Sequence, residues 1–295
     1  MRNILILFNP VAGGRRGRRL RAVLDLLQKC DARVELRTTG APGDARRFAG
    51  EADDDVDTIV AAGGDGTINE VVNGMAARGT GGPDLALLPL GTANVLAAEI
   101  GFRDLSARRI AGAIAEGAPR DLYLGRADGR YFALMCGVGF DAHVVARVSP
   151  HLKRRLGKLA YVLASLVELW RYRPRRYAVT LDGRRHDAAS AIVANAHFYG
   201  GRFVVAPHAR IDDPRLQVCL FHRAGRRHVL RYGWGLISGR LHRFADVSIL
   251  PAHRIEIATV APAPVPEPVQ GDGDIIAALP VAITAGAKHL RLKGP

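Results

Sequence analysis

The feature that most constrains the fold is a change of sequence pattern near residue 120. Before that point, short β-rich runs alternate with amphipathic segments. The run Ile4–Phe8 precedes a segment in which residues 20, 23, 24 and 27 are apolar, which is the spacing of one helix face. Strands that alternate with helices predict a parallel sheet with helices on both faces. We therefore predict an α/β domain over residues 1–120.

The elements of this domain follow from the same patterns and from the glycines between them. Asp44 is expected to cap the second helix, because a carboxylate accepts hydrogen bonds from the first N–H groups of a helix. The predicted strands are Ile4–Phe8, Arg33–Arg37, Asp57–Ala62 and Leu85–Pro89. The predicted helices are the amphipathic segment after Gly13-Gly14, Asp44–Glu51, Thr67–Ala77 and a segment after Gly91-Thr92.

Beyond residue 120, short β runs follow one another and turn signals such as Asp128-Gly129 and Asp182-Gly183 separate them. This pattern predicts an antiparallel β domain. One helical insertion, from about residue 150 to 172, interrupts it, and the Pro-rich stretch Ala261–Pro268 is expected to be extended. The predicted strands are Asp121–Ala127, Tyr131–Cys136, Tyr177–Leu181, Ala189–Asn195, Leu216–Phe221 and Arg254–Ala258.

The charge balance is strongly basic. Lys and Arg number 42 against 28 Asp and Glu, which gives a net charge of +14, and most of the cations are arginine. Such a field attracts polyanions such as nucleic acid, anionic lipid surfaces or phosphorylated ligands. A GC-rich genome that favours arginine codons would give the same composition, so the charge alone names no partner.

Cysteine usage and hydropathy favour a cytoplasmic, soluble protein. The cysteines are few, widely spaced and without a CxxC pair, which argues against a disulfide framework or a zinc site. The apolar run Ile4–Phe8 is too short for a signal-peptide core, and the longest later run, Leu159–Trp170, is too short to span a bilayer. Any membrane contact is therefore expected to be peripheral. The cysteines are Cys30, Cys136 and Cys219.

The segment 63–70, Gly-Gly-Asp-Gly-Thr-Ile-Asn-Glu, follows a predicted strand and opens a predicted helix. Glycines let the backbone approach phosphates closely, and a helix N-terminus supplies N–H groups and a favourable dipole. Thr67 can cap the helix or bind a phosphate. Asp65 would repel a bare polyphosphate, so it fits either a bridging Mg²⁺ or an orienting hydrogen bond. A tight strand-to-helix turn, with Asp65 in a structural role, is the alternative interpretation.

Two further loops have a similar composition. Asn9–Gly14 follows the first predicted strand, and Leu88–Asn94 spans the end of the fourth. The carboxyl ends of parallel strands meet at one edge of a sheet, which is where open α/β sheets bind their ligands. We therefore expect the three loops to form one binding edge.

Taken together, these loops resemble the diacylglycerol kinase catalytic family, which includes bacterial lipid kinases, sphingosine kinases and ceramide kinases. The resemblance rests on NPVAGG at 9–14, GGDGTINEVVNG at 63–74 and PLGTAN at 89–94. Nicotinamide-nucleotide kinases and phosphofructokinases share the GGDG element, but the two accompanying elements favour the lipid branch. The P-loop pattern GxxxxGK[ST] is absent from the sequence. The likeness continues at 137–142, 195, 200–201, 206–207 and 212–213, and so covers most of the chain.

The resemblance implies two domains with the active site in the cleft between them. The first is a nucleotide-binding α/β domain of the phosphofructokinase and NAD kinase type, over residues 1–120, to which a last strand at about 285–295 returns. The second is an antiparallel β-sandwich over residues 121–284 that receives the lipid.

The family also implies ATP and Mg²⁺ and the residues that bind them. Asp213 would bind Mg²⁺ through its carboxylate, and Arg210 and Arg215 through their backbone carbonyls. The family has glycine where this chain has Pro214, whose φ is fixed at about −65°, so the loop geometry is expected to differ. A simple Asp-rich turn is the alternative. The expected ATP contacts are Asn9, Thr39, Gly63, Gly64, Asp65, Gly66, Thr67, Ile68, Asn69 and Thr92.

The catalytic base is expected in the segment Gln270–Asp274. The family pattern is Asp-Gly-Glu, whose glutamate takes the proton of the lipid hydroxyl, and this chain has the shorter Asp274 at that position. A base must come within about 3 Å of its proton, directly or through one water. Asp274 is the first candidate and Asp272 the second, and an acidic hairpin turn without catalytic function is the alternative.

The segment 147–176 carries Lys and Arg around the apolar run Leu159–Trp170. A basic amphipathic helix can lie on an anionic membrane, but a helix packed on the sandwich with arginines reaching outward is the favoured alternative. A second basic cluster follows the first loop at residues 15–19. This cluster could bind nucleotide phosphates or lipid headgroups, or it could be the solvated face of the first helix.

The sequence therefore predicts an ATP- and Mg²⁺-dependent lipid kinase that acts peripherally at the inner face of the membrane. No nucleic-acid partner is expected, and a homodimer stays open. Two alternatives remain: a soluble nucleotide or sugar kinase that shares the GGDG element, and a nucleotide-binding regulator without catalytic activity. The acceptor lipid cannot be read from the residues.

Overall fold

The protein is described by a computed structural model that covers residues 1–12, 17–78, 81–102, 105–148, 158–262 and 264–295. It divides into two compact units. The first unit comprises Met1–Leu122 and Lys288–Pro295, and the second comprises Tyr123–Ala287.

The first unit is a parallel sheet with two pairs of packed helices. The sheet order is β2-β1-β3-β4, and the strand register places Ile4 opposite both Val34 and Thr58. The end of β18 lies parallel beside β4, with Leu292 opposite Leu85. Helix α2 packs on α3, and α1 packs on α5. The elements are β1 Arg2–Phe8, α1 Gly17–Leu27, β2 Ala32–Thr38, α2 Asp44–Gly50, β3 Thr58–Gly63, α3 Asp65–Ala76, β4 Asp84–Pro89, α4 Val95–Glu99 and α5 Ala107–Glu116, with a short 3-10 helix at Pro10–Ala12.

The second unit is a sandwich of two mainly antiparallel sheets. One sheet has the order β14-β13-β10-β7-β16-β17, and the other contains β18-β15-β8-β9. Apolar side chains from both sheets, including Val138, Val179, Val218 and Ile255, form one buried core. The elements are β5 Pro119–Ala127, β6 Arg130–Phe132, β7 Met135–Val138, α6 Phe140–Arg147, α7 Lys158–Arg171, β8 Tyr177–Leu181, β9 Arg184–Ala188, β10 Ser190–Ala194, β11 Phe198–Tyr199, β12 Phe203–Val204, β13 Leu216–Phe221, α8 Arg226–Ile237, a 3-10 helix Leu241–Arg243, β14 Val247–Ala252, β15 Arg254–Thr259, β16 Pro268–Gly271, β17 Asp274–Ala278 and β18 Val281–Lys293.

The predicted fold class, an α/β domain followed by an antiparallel β-sandwich, is confirmed. The expectation that Asp44 caps α2 is wrong. Gly43, with φ 92°, occupies the cap position, and Asp44 is the first helical residue. Its carboxylate accepts the N–H groups of Gly40 and Ala41 at 2.9 Å, so it stabilises the preceding loop.

Two predictions for the second unit also need correction. The single strand expected over Tyr131–Cys136 is two strands, β6 and β7, because the backbone between them turns to donate to the Asp272 carboxylate. The helical insertion expected at about 150–172 contains α7, but the described part of this unit has two further helices, α6 and α8, that were not predicted. The sequence did not reveal α8 because Gly233 and Gly235 lower its helix propensity. The start of the predicted insertion, up to residue 157, lies outside the described residues.

Among the described helices, none has both the length and the apolar composition that crossing a bilayer requires.

Candidate active site

Hydrogen bonds from Asn9 join the loop after β1 to the loop after β3. Its backbone N–H donates to the Ala62 carbonyl at 3.0 Å, which extends the pairing of β1 with β3. Its side-chain Nδ2 donates to Thr67 Oγ1 at 3.0 Å, and its Oδ1 accepts from the Val11 N–H at 3.0 Å. Asn9 therefore fixes the loop after β1 against the first turn of α3. The Thr67 hydroxyl is part of this contact, and the cap position of α3 belongs to Gly64.

Thr39 lies at the same edge of the sheet. It follows β2, is buried, and donates to the Phe8 carbonyl through its backbone N–H at 2.9 Å and its hydroxyl at 3.4 Å. Phe8 is the last residue of β1, directly before Asn9. The structure thus brings Asn9, Thr39 and Thr67 together where the parallel strands end.

The loop after β3 and the loop after β4 are in contact through their glycines. The N–H groups of Leu90 and Gly91 both donate to the Gly63 carbonyl, at 2.8 and 3.0 Å. A Cβ atom at Gly91 would fall well inside van der Waals contact of the Gly64 backbone. The close approach of the two loops therefore requires glycine. Gly66 and Thr92 are exposed beside this contact, where a ligand can reach them.

We expect Gly91→Ala to push the two loops apart and to destabilise the first unit by about 1–3 kcal/mol, as inserted atoms do in packed sites. Gly66→Ala is the matched control. It lies in the same loop region, but nothing lies within 4 Å of a Cβ there, and alanine favours the helix. Denaturant unfolding of both variants measures the difference. Equal stability of Gly91→Ala and the unmodified protein would contradict the close loop contact.

Asp65 is hydrogen-bonded to the backbone that follows β4. Its Oδ1 accepts the Val95 N–H at 2.6 Å, at the start of α4, and burial raises the pKa of this carboxyl. Asn94, which the sequence did not single out as a site residue, holds the same loop. It has a left-handed backbone (φ 49°), and its side chain both donates to and accepts from the Gly91 backbone.

Two of the predicted ATP contacts lie deeper than the loop surface. Ile68 and Asn69 are buried within α3, and Asn69 Oδ1 accepts from Asn73 Nδ2 at 3.2 Å. Glu70, by contrast, reaches out of the helix, and its two oxygens accept the N–H groups of Gly43 and Ala45 at 3.0 and 3.2 Å. It ties α3 to the start of α2. A Glu so close to the GGDG element was a signal that the sequence analysis did not use.

In the second unit, Asp272 and Gly273 form the tight turn of the β16–β17 hairpin. Both have positive φ, 51° and 88°, which is the geometry of a two-residue hairpin turn of the Asp-Gly type. The Asp272 carboxylate accepts three backbone N–H groups, from Ala133 at 2.8 Å, Leu134 at 2.9 Å and Met135 at 3.0 Å. Its oxygens are thus used to hold the bend between β6 and β7.

Asp274 has a different environment. It is the first residue of β17, lies opposite Gly271 and is exposed. Of the two candidate bases, Asp274 is an exposed residue, whereas the Asp272 carboxylate accepts three backbone N–H groups. The structure thus gives the two candidate bases different surroundings.

A buried polar network supports this hairpin. Gln270 donates through Nε2 to Asp141 Oδ2 at 2.7 Å and accepts the Gly273 N–H through Oε1 at 3.0 Å. The Tyr199 hydroxyl donates to the other oxygen of Asp141. Burial raises the pKa of Asp141, and the two donated bonds oppose that shift. On the other side of the turn, the Tyr161 hydroxyl donates to the Gly273 carbonyl at 3.4 Å.

Sequence reasoning quoted Asp141 within the motif Gly137–Ala142 but gave it no function. Its role depends on partners 58 and 129 residues away, which no local pattern reveals.

The predicted metal loop has oxygen donors, but its carboxylate is already paired. Asp213 Oδ2 lies 2.8 Å from Arg215 Nη2, and Oδ1 accepts from both the Nε and the backbone N–H of Arg215. This pairing lowers the pKa of Asp213. The Arg210 carbonyl accepts the Asp213 N–H, and the Arg210 side chain pairs with Asp212. Hence the residues do not fit a cation as arranged, and we derive no chemical step through a metal at this loop.

Across the residues that the structure describes, this loop included, no three His, Cys, Asp or Glu side chains come together as a metal-binding group.

We expect Arg215→Ala to raise the affinity of this loop for Mg²⁺ by up to about fivefold, because a partly exposed ion pair is worth about 0–1 kcal/mol. The substitution frees the Asp213 carboxylate and keeps the backbone carbonyl of residue 215. The control adds Asp213→Ala to the Arg215→Ala protein, and it should remove the gain in Mg²⁺ affinity. Titration calorimetry with Mg²⁺ in the absence of nucleotide measures both, and a gain that persists without the carboxylate would rule out this loop as its source.

The comparisons with known proteins agree with the two-unit arrangement. The model of the diacylglycerol kinase catalytic domain matches residues 3–127, and the model of the YegS C-terminal NAD kinase beta sandwich-like domain matches residues 135–293. The "Diacylglycerol kinase" of Bacillus subtilis (strain 168) is 28% identical over 261 residues, which is 87% of this chain and 86% of that protein.

A Pseudomonas aeruginosa protein described as "Probable lipid kinase YegS-like" is 35% identical over 221 residues, which is 74% of this chain and 71% of its own length. The crystal structure of a diacylglycerol kinase from Bacillus anthracis str. Sterne has the same fold. Its TM-score is 0.79 at 24% identity, and the match covers 100% of this chain and 97% of that chain.

The two family models and the relatives define the class as that of lipid kinases. The chain belongs to the family of diacylglycerol kinases and YegS-like lipid kinases. Membership supports a phosphotransferase, and within that class a lipid kinase activity.

Proposed function

We propose that the protein transfers the γ-phosphoryl group of ATP to the hydroxyl of a lipid, of the diacylglycerol or sphingoid kind, at the inner face of the membrane. The observation that carries this proposal is the joined set of loops at the edge of the parallel sheet. Asn9, Thr67, Gly64 and Gly91 hold the three loops together, and they leave Gly66 and Thr92 exposed. A helix N-terminus beside glycine backbone is a site for phosphate groups.

In this proposal the first unit binds ATP. Thr92 and the loop from Gly63 to Thr67 contact the phosphates, while Asn9, Thr39 and Asp65 keep those loops in position. Ile68 and Asn69 support the loop from inside α3. When bound with ATP, Mg²⁺ neutralises charge on the phosphates. Positioning and charge neutralisation carry most of the work in phosphoryl transfer, because little covalent chemistry is left to the protein.

The second unit is proposed to supply the catalytic base. The Asp274 carboxylate accepts the proton of the lipid hydroxyl as its oxygen forms a bond to the γ-phosphorus and the bond to the leaving ADP oxygen breaks. Asp272 is assigned a positioning role, because its three accepted backbone N–H groups fix the hairpin on which Asp274 lies. Asp141, Tyr199 and Gln270 hold the same hairpin from the interior.

The experiment compares acceptors. ATP consumption is measured with a panel of lipids in detergent micelles and with a panel of water-soluble alcohols, nucleosides and sugars. The proposal predicts that ATP consumption depends on one lipid class. Consumption that depends on a soluble acceptor would replace the lipid kinase by a soluble kinase of the GGDG type. ATP binding without consumption with any acceptor would favour a regulator.

A further inference from the structure

Helix α7 has its large apolar side chains on the outside. The face that packs inward carries the small residues Ala160 and Ala164 and the buried Glu168, whose carboxylate is bound by Arg147 at 2.6 Å. The opposite face exposes aliphatic and aromatic side chains, and Trp170 at its end is 69% exposed. In a helix that only covers the sandwich, the apolar face would point inward. The exposed set is Val162, Leu163, Leu166, Val167 and Trp170.

Helix α8 repeats this arrangement. Its residues Leu230, Trp234 and Ile237 follow the i, i+4, i+7 spacing of one helix face, and Trp234 and Ile237 are 66% and 64% exposed. The helix is anchored by Tyr232, which is buried and donates to Asp246 at 2.7 Å. The outward apolar face is therefore a fixed feature of a helix that is well held on its other side.

Arg226 joins the two helices. It donates through Nε to the Leu169 carbonyl at 3.0 Å and through Nη2 to the Trp170 carbonyl at 2.7 Å, and its guanidinium lies 4.8 Å from the centre of the Trp170 ring. A cation at the last carbonyls of a helix is favourable for the helix dipole as well. The exposed faces of α7 and α8 thus belong to neighbouring helices that one side chain ties together. We call them the helix-pair surface.

The exposed charge of the helix-pair surface comes from arginines. Residues 223–243 contain six arginines and no Asp or Glu, and Arg171 and Arg173 are exposed at the end of α7. Glu168 is paired with Arg147, and Asp246 with Arg231. The surface therefore combines exposed Trp, Leu and Ile with arginines, which are the residues of helices that lie in an anionic membrane interface.

We propose that the helix-pair surface docks on an anionic lipid bilayer, with Trp170, Trp234, Leu230 and Ile237 entering the headgroup region. This inference rests on the proposed action on a membrane lipid and names the surface that holds the enzyme there. A second copy of the chain is a poorer occupant, because a two-fold contact would bring the arginines of one surface against those of the other. An anionic bilayer supplies the opposite charge at the rim and an apolar layer at the centre.

Tryptophan fluorescence tests this directly, because the chain has two tryptophans and both lie on the helix-pair surface. The unmodified protein is mixed with vesicles of equimolar phosphatidylglycerol and phosphatidylcholine, and with phosphatidylcholine alone. We expect a blue shift of the emission and quenching by lipids brominated on the acyl chain. Both effects should be stronger with phosphatidylglycerol and weaker in high salt.

Cosedimentation with the same vesicles gives the second readout. The double variant Trp234→Ser with Ile237→Ser should bind about tenfold more weakly or worse, since exposed apolar area drives interfacial binding. Arg227→Gln should weaken binding to phosphatidylglycerol roughly fivefold. The control is Leu36→Ser, which removes an exposed leucine from β2 in the first unit and should bind as the unmodified protein does.

Neither readout uses ATP or turnover, so their failure is distinguishable from a failure of the kinase proposal. Binding without a change in tryptophan emission, equal binding by the double variant, or no binding to phosphatidylglycerol would each overturn the inference. A blue shift that appears without lipid as protein concentration rises, together with a larger particle, would assign the surface to a second copy instead.

Discussion

Asp274→Asn is expected to lower the rate of phosphoryl transfer by roughly 10²–10⁴-fold, the usual contribution of a positioned acid or base. The substitution keeps the shape of the side chain and removes its ability to take a proton. Asp274 is exposed at the start of β17, and the backbone of the hairpin is held by Asp272 and Gln270. ATP binding and the midpoint of denaturant unfolding should therefore stay as in the unmodified protein. Turnover at saturating ATP and lipid measures the effect.

Asp274→Glu is the informative control for this prediction. The family pattern that the sequence resembles has glutamate at this position, so the longer carboxylate should retain transfer. Asp274 is not the catalytic base if the Asp274→Asn protein transfers phosphoryl groups at the rate of the unmodified protein. The same conclusion holds if the variant loses activity only because it is less stable.

Asp272→Asn is expected to lower the free energy of unfolding by about 3 kcal/mol or more, because hydrogen bonds to a charged group contribute about 1.5–3 kcal/mol each and three are weakened at once. Asparagine followed by glycine is as good as aspartate in this type of turn, so the turn itself is preserved. The loss of stability should come from the three hydrogen bonds that Ala133, Leu134 and Met135 donate to the Asp272 carboxylate in the unmodified protein. Denaturant unfolding measures it.

The matched control is Asp182→Asn. Asp182 opens the Asp-Gly turn between β8 and β9 with nearly the same φ, 46°, and its carboxylate accepts the N–H groups of His253 and Arg254. It should also lose stability while keeping transfer by the folded protein. An Asp272→Asn protein that is as stable as the unmodified one but inactive would instead make Asp272 the catalytic base.

Local patterns in the sequence predicted the parts of the fold that local physics determines. The strands that end at Phe8, Gly63 and Pro89, and the glycine loops after them, follow from apolar runs and from the backbone freedom of glycine. The order of these elements along the chain was enough to place the loops at one edge of a parallel sheet. The Asp-Gly turns of the second unit were likewise visible as turn signals.

The features that the sequence did not reveal depend on distant partners. The bend between β6 and β7 exists because Asp272, up to 139 residues away, accepts its N–H groups. Asp44 was predicted to cap a helix, but its carboxylate accepts N–H groups of the preceding loop. Asp213 was predicted to bind a metal, and its carboxylate is paired with Arg215. Both contacts depend on the geometry of the loop. Helix α8 was missed because two glycines and an outward apolar face hide the usual signal of a packed helix.

The most direct test of the central claim is to follow the labelled γ-phosphate of ATP into lipid. The protein is incubated with labelled ATP, Mg²⁺ and mixed micelles that contain diacylglycerol or a sphingoid base, and the products are extracted into organic solvent and identified by mass. A lipid kinase predicts label on the lipid hydroxyl with the unmodified protein, and a loss of at least about a hundredfold with Asp274→Asn. Label that stays in ATP, or that appears only in inorganic phosphate or a soluble acceptor, would contradict the account.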